Sequence, residues 1–174
     1  ANSYIVSEGG DYCFNVSVKG NSNESIGVPV GVEVLWESVS CTGKADAGTV
    51  ISSVELNGPY VQFNVTSPLK EGNALIAVKD YAGTILWSWH IWVTDMPEEH
   101  EYVNSKGTFV VQDRNLGATR ADRGTGDEWK QSCGIDFHWG RKDPFMGYCH
   151  SEISSSFTIE EAIKNPTVKA TGWG

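Results

Sequence analysis

A mainly β protein is what these 174 residues predict, on three observations. Apolar and polar residues alternate with period two along most of the first hundred residues, Gly, Asn, Asp and Pro punctuate the runs, and both signals fade after Asp95. Period two puts successive side chains on opposite faces of a strand, so alternation this long implies sheets with one buried face each. The division expected is a β-sandwich at residues 1–95, a connector at 96–103 and a small, Gly-rich α+β region at 104–174.

Taken in order, "SYIVSE" opens the set of strands. In "DYCFNVSV" Tyr12, Phe14, Val16 and Val18 share one face, and Cys13, Asn15 and Ser17 the other. In "VEVLWESV" Val32, Val34 and Trp36 are expected inward, opposite Glu33, Leu35 and Glu37. "TVISSVEL" aligns Val50, Val54 and Leu56. Asn57-Gly58, two residues that tolerate positive φ, then turn the chain into a strand with Val61, Phe63 and Val65 inward. "NALIAVKD" and "TILWSWHIWVTD" pair through Tyr81-Ala82-Gly83. Seven strands in about 95 residues match the count and spacing of an immunoglobulin-like sandwich. It is not of the antibody type, because Cys13 falls on the polar face and the sixth strand has no cysteine; Trp36 alone occupies the core-tryptophan place.

The last of these strands carries three tryptophans and raises a choice between packing and a sugar-stacking platform. Ile85, Trp87, Trp89, Ile91 and Val93 form a continuous apolar stripe that belongs to the core. Leu86, Ser88, His90, Trp92 and Thr94 form a mixed face. Trp92 is expected to pack under the following region. His90 is expected as a hydrogen-bonded interface histidine, since His100, His138 and His150 are scattered without metal-ligand spacing.

Beyond Asp95, "DMPEEHEY" is a charged, Pro-containing connector, and alternation survives only in "TFVVQD". One helix is expected in "TIEEAIKNP". Thr158 as N-cap with Glu161 three residues later makes a capping box, and Asn165-Pro166 ends the run.

Net charge is −9 and the pI about 4.8, with no Lys/Arg run, so nucleic acid and anionic membrane are excluded as partners by repulsion. The apolar run "ALIAV" is far short of the roughly 20 residues that span a bilayer, which excludes direct membrane insertion. The opening "ANSYIVSEGG" lacks a basic n-region and an apolar h-region, so an export signal or lipid anchor is expected to have been removed or left out. Cys13, Cys41, Cys133 and Cys149 make an even count without a C-x-x-C. They are read as two disulfides of an exported protein, with Cys13–Cys41 and Cys133–Cys149 as the preferred of three connectivities. Four reduced thiols in a reducing compartment are the alternative.

Candidate binding chemistry sits in the second region. "ADRGTGDEW" brings Asp122, Asp127 and Glu128 around glycines, oxygen ligands of the kind calcium takes, but without the regular D-x-D-x-D-G order, so a solvated acidic loop is the expectation and no metal site is assigned. Trp129, Phe137, His138 and Trp139 can stack on a sugar ring or form a small aromatic core. No G-x-S-x-G elbow places a serine beside a base, no catalytic residue is assigned, and no cofactor is called for.

"ANSYIVS", "GNALIAVKD", "ILWSWHIWVTD", "QDRNLGAT" and "WGRKDPF", in this order, resemble a family of Bacteroides-type surface proteins known as fimbrillin-like or as carrying a Fibrobacter succinogenes major paralogous domain. The resemblance covers nearly the whole chain. It implies an exported protein of the bacterial outer surface, commonly lipid-anchored or part of a fimbrial tip, with adhesion as its role. It also implies that "WGRKDPF" opens a C-type-lectin-like module. In the family a "CP-x-GWR-x-P"-like segment follows, whereas this sequence stops at "TGWG", so a partial module is expected. The functional expectation is therefore a non-enzymatic adhesin whose partner is a surface glycan or protein. The alternative is a structural fimbrial subunit that assembles with other subunits by strand addition, and an exported hydrolase stands last. Exposed aromatics near 129–139 would favour the first, an unpaired edge at 3–8 or 60–66 the second.

Overall fold

The computed structural model describes residues 1–146 and 151–173, with side chains outside 151–155 and 171–173, and is mainly β. The first seven strands are β1 (Ser3–Val6), β2 (Gly10–Asn15), β3 (Gly31–Ser38), β4 (Ile51–Asn57), β5 (Tyr60–Val65), β6 (Gly72–Lys79) and β7 (Ile85–Val93). They form a four-stranded sheet, β1-β7-β6-β3, and a three-stranded antiparallel sheet, β2-β5-β4. β1 runs parallel to β7; the other pairs of the first sheet are antiparallel. The two sheets pack face to face over one apolar core. Ala74, Ile76 and Val78 of β6 and Trp87, Trp89, Ile91 and Val93 of β7 meet Phe14 of β2 and Val61, Phe63 and Val65 of β5. The Phe14 and Trp89 rings stand 5.1 Å apart across the gap. The alternation in the sequence produces this layer directly, since every second residue of β5 and β7 must leave water.

Three strands depart from strict alternation: β4 slips between Ile51 and Ser53, the start of β7 slips so that Leu86 rather than the expected Ile85 packs against the core, and β3 carries the largest change. The register of β3 against β6 slips between Val34 and Trp36, so Val34 lies opposite Ile76 while Trp36 lies opposite Leu75. A bulge of this kind turns the residues after it onto the other face. Trp36 is therefore buried outside the inter-sheet core and Glu37 is turned into it, which corrects the inward face expected for Trp36. The buried Glu37 carboxylate accepts the backbone N–H groups of Val50 and Ile51 at 2.8 and 3.2 Å, which links β3 to the start of β4.

After β7 come the hairpin β8 (Glu99–Asn104) and β9 (Gly107–Gln112), then a single 3-10 turn (Gly126–Glu128) running into α1 (Trp129–Ser132). β10 (Asp136–Phe137) pairs with β11 (Pro144–Phe145), and β12 (Ser151–Phe157) runs parallel to β13 (Val168–Trp173) around α2 (Ile159–Lys164). The connector expected at 96–103 is thus largely a strand. Every residue of β8 and β9 is exposed, so neither face needed the alternation that marks a buried strand. α2 has the expected capping box. Thr158 Oγ1 accepts the Glu161 N–H at 3.2 Å, and Glu161 Oε2 accepts the Thr158 N–H at 2.8 Å.

The expected Cys13–Cys41 bridge is absent. Cys13 stands exposed on the outer face of β2, whereas Cys41 is buried in the β3–β4 connection beside α1. Cys13, Cys41 and Cys133 are all free thiols, and Cys149 lies outside the described residues.

Candidate functional site

The outer face of the four-stranded sheet is where the two regions of the chain meet. Asn73, Leu75 and Ala77 of β6 and Ser88, His90 and Trp92 of β7 point away from the core, and all are buried. The polar ones are tied into the loops that cover them. Trp92 Nε1–H donates to the Ala118 carbonyl at 3.0 Å, and Asn73 Nδ2–H to the Gly117 carbonyl at 2.8 Å. That leaves Asn73 Oδ1 to accept from His90 Nε2 at 2.9 Å, so Nδ1 of the ring accepts the Ser3 hydroxyl at 2.8 Å. Burial holds the His90 imidazole neutral, with its pKa pushed down to about 3.

The segment "DRNLGAT" supplies this cover. Arg114, at the start of the loop, donates to Asp113 and Asp95 and fixes the chain as it leaves β9. Its hydrogen bonds hold both carboxyls below the usual carboxylate range. Gly117 has φ +81°, and a Cβ there would stand 2.7 Å from Ile135 and 3.0 Å from Asn73 Oδ1. Only glycine lets the backbone come close enough for its carbonyl to meet Asn73.

"WGRKDPF" closes the other half of the same face. Lys142 Nζ donates to Ser88 Oγ at 2.7 Å, to the Ser88 carbonyl at 3.1 Å and to Asp143 Oδ1 at 2.5 Å. The Ser88 hydroxyl donates to Asp143 Oδ1 at 2.6 Å. Lys142 Nζ also sits 4.4 Å from the centre of the Trp87 ring. Burial lowers the Lys142 pKa, and the neighbouring Asp143 opposes the shift. Arg141 donates to the carbonyls of Ala162, Asn165 and Val168, which joins the end of α2 to β13.

A serine hydroxyl beside a partly desolvated lysine is the arrangement of a Ser–Lys nucleophile pair. Here the serine proton is held by Asp143 and Ser88 is 1 % exposed. The adjoining cavity, about 140 Å³, is lined by Trp87, Lys142, Asp143, Ile159 and Ala162 among others, and Ser88 is not part of its wall. This geometry binds loop to sheet.

The residues singled out for ligand binding fall on separate elements. Asp122 is paired with Arg120 Nε at 2.7 Å. Glu128 caps its own turn, accepting the Thr125 N–H at 2.7 Å, and receives Arg120 Nη1 at 3.2 Å. Asp127 turns to Lys130 at 3.2 Å. The three carboxylates thus answer local cations and a helix start, and among the described residues no group of three or more His, Cys, Asp or Glu is placed to hold a metal ion. Trp129 is half-buried as the first residue of α1, and His138 is half-buried after β10. Trp139 is 89 % exposed and Phe137 44 %.

Sequence reasoning missed Asn73, Arg114, Arg141, Lys142 and Asp143 as the residues that join the two regions. The signal available for them was the mixed face of β7, where Ser88, His90 and Trp92 alternate with the apolar stripe. Comparison of the chain with known protein families, with curated proteins and with solved structures gives no match.

Proposed function

We propose that this chain is a non-enzymatic, exported surface protein of the fimbrillin-like kind, an immunoglobulin-like scaffold that presents a Gly-rich, lectin-like region for adhesion to a glycan or protein. The strand orders 7-6-3 and 2-5-4 correspond to the C-F-G and B-E-D parts of an immunoglobulin-like sandwich and support the scaffold reading, with the first strand joined to the 7-6-3 sheet instead. The observation that carries the binding reading is Trp139. The fold buries Trp36, Trp87, Trp89 and Trp92, yet leaves Trp139 in solvent two residues from the exposed Phe137. A large aromatic with a free face is an anchor for a sugar ring or a partner side chain. The test is a glycan array and a panel of immobilised extracellular matrix proteins, probed with the wild-type chain and with Trp139→Ala. The reading expects binding to a subset of probes and its loss, tenfold or more, in Trp139→Ala with unchanged thermal stability. Binding that ignores the substitution, or no binding to any probe, contradicts it.

The β8–β9 hairpin favours a second reading, a structural subunit. Of the two segments whose free edge would have pointed to assembly, β5 is the central strand of its sheet, while β1 is the outer strand of the other but only four residues long. The hairpin is an isolated two-stranded sheet with Tyr102, Phe109, Val110 and Val111 exposed. Two strands alone are marginal in water, so a third from another subunit would stabilise them. Concentration-dependent assembly that Phe109→Asp abolishes while Trp139-dependent binding persists would favour this reading over the first.

A further inference from the structure

We propose that Cys41 and Cys133 form a redox pair that closes to a single disulfide, joining the β3–β4 connection of the sandwich to the end of α1. The two residues are roughly ninety positions apart, so the bridge would close a long loop, the case in which a cross-link restricts the unfolded chain most. Docking has already brought the flanking backbones together. The Cys41 N–H donates to the Lys130 carbonyl at 3.0 Å, and Lys130 lies one helical turn before Cys133, the C-cap of α1. The Cys133 thiol donates to the Trp129 carbonyl at 3.3 Å and lies near enough to the Cys41 thiol to raise its pKa. Closure to the roughly 2.05 Å of a disulfide is the step required of the two side chains. Cys13, the other described cysteine, stands on the exposed face of the three-stranded sheet.

The two thiols differ in a way that sets the order of reaction. Cys133 is exposed, whereas Cys41 is 6 % exposed, and its thiol pKa is pushed up to about 11 by burial and by the Cys133 thiol beside it. With a small-molecule disulfide such as oxidised glutathione as oxidant, the Cys133 thiolate attacks one glutathione sulfur and the other glutathione leaves as a thiolate. Cys41, losing its proton to solvent, then attacks the Cys133 sulfur and expels the second glutathione. Two protein thiols are oxidised, one glutathione disulfide is reduced to two thiols, and the two protons end on those thiols.

That a cell supplies the oxidant rests on the export reading above; the competence of the pair does not. The reduced, folded chain is incubated with oxidised glutathione and mapped by mass spectrometry of non-reduced peptides. The expected product is one Cys41–Cys133 disulfide, lighter than the reduced chain by two hydrogens, with a melting midpoint raised by roughly 5–15 °C. Cys41→Ser should stop at a glutathione adduct on Cys133 and show no such rise. A stable adduct on Cys133 of the wild type, or a bond from Cys133 to Cys13 or Cys149, overturns the pairing. Thiol trapping of the chain from the cells that make it separates the two claims: a pair that closes with glutathione but is reduced in those cells retains this inference and removes the export reading.

Discussion

The outer faces of the two sheets differ more than their inner faces do. On the three-stranded sheet the outward residues Asp11, Cys13 and Asn15 of β2 and Ser53, Glu55 and Asn57 of β4 are exposed. On the four-stranded sheet Asn73, Ser88, His90 and Trp92, hardly less polar, are buried; Asn73, Ser88 and Trp92 are hydrogen-bonded to residues 117, 118, 142 and 143, and His90 to Ser3 and Asn73. Polarity alone therefore does not tell a solvent face from a covered one. What separates them is whether each polar atom has a protein partner, because a buried donor or acceptor left unpaired costs about 1–3 kcal/mol. The "DRNLGAT" and "WGRKDPF" segments supply the partners of Asn73, Ser88 and Trp92, half of them as backbone carbonyls.

The largest effect should come from tryptophan truncation, and it should be alike on the two faces of β7. Trp89→Ala on the inner face and Trp92→Ala on the outer should each cost about 3–5 kcal/mol in urea unfolding, the usual loss for a buried large aromatic. A Trp92→Ala cost below about 1 kcal/mol would mean that the outer face is a lightly covered platform.

Next in size is acid sensitivity. The His90 pKa is lowered from 6.5 in the unfolded chain to about 3 in the folded one, so between these values the unfolded state binds the extra proton. The stability linked to neutral His90 is complete above pH 6.5 and is lost as pH falls toward 3. From pH 7 to pH 4 the loss is about 3 kcal/mol. His90→Gln, which has no titrating ring, should lose about 3 kcal/mol less over that interval in paired urea titrations. An equal loss in both proteins would show that the ring is reached by water.

The smallest effect belongs to the bare sheet. Glu55→Ala, on the exposed face of β4, should change stability by no more than about 0.5 kcal/mol. A cost above about 1 kcal/mol would show that this face too is covered.

The inner layer was legible in the sequence because burial of one face leaves a period: Val61, Phe63 and Val65, or Trp87, Trp89 and Ile91, can be sorted by position alone. The α2 helix was legible because Thr158, Glu161 and Pro166 act within a few residues of one another. The turning of Trp36 was not, since a bulge adds a residue without a sequence mark of its own. The β8–β9 hairpin was hidden for the opposite reason, exposed strands being free of alternation. The cover of the outer sheet was illegible because it is built from the Gly117 and Ala118 carbonyls, groups every residue has. The nearness of Cys41 to Cys133 follows from that same docking and from nothing local to either cysteine.

The claim at the centre is that residues 113–143 seal the outer face of the four-stranded sheet with hydrogen bonds, so that Trp92 belongs to the interior and Trp139 to the surface. Hydrogen exchange of the indole N–H groups, followed by NMR on the chain without added ligand, tests it most directly. Trp92 Nε1–H, fully buried and bound to the Ala118 carbonyl, should exchange more slowly than Trp139 Nε1–H by a factor of about a thousand or more, the protection expected of a group that opens only with the core. Comparable rates for the two indoles would contradict the account and return Trp92 to the surface as part of a ligand platform.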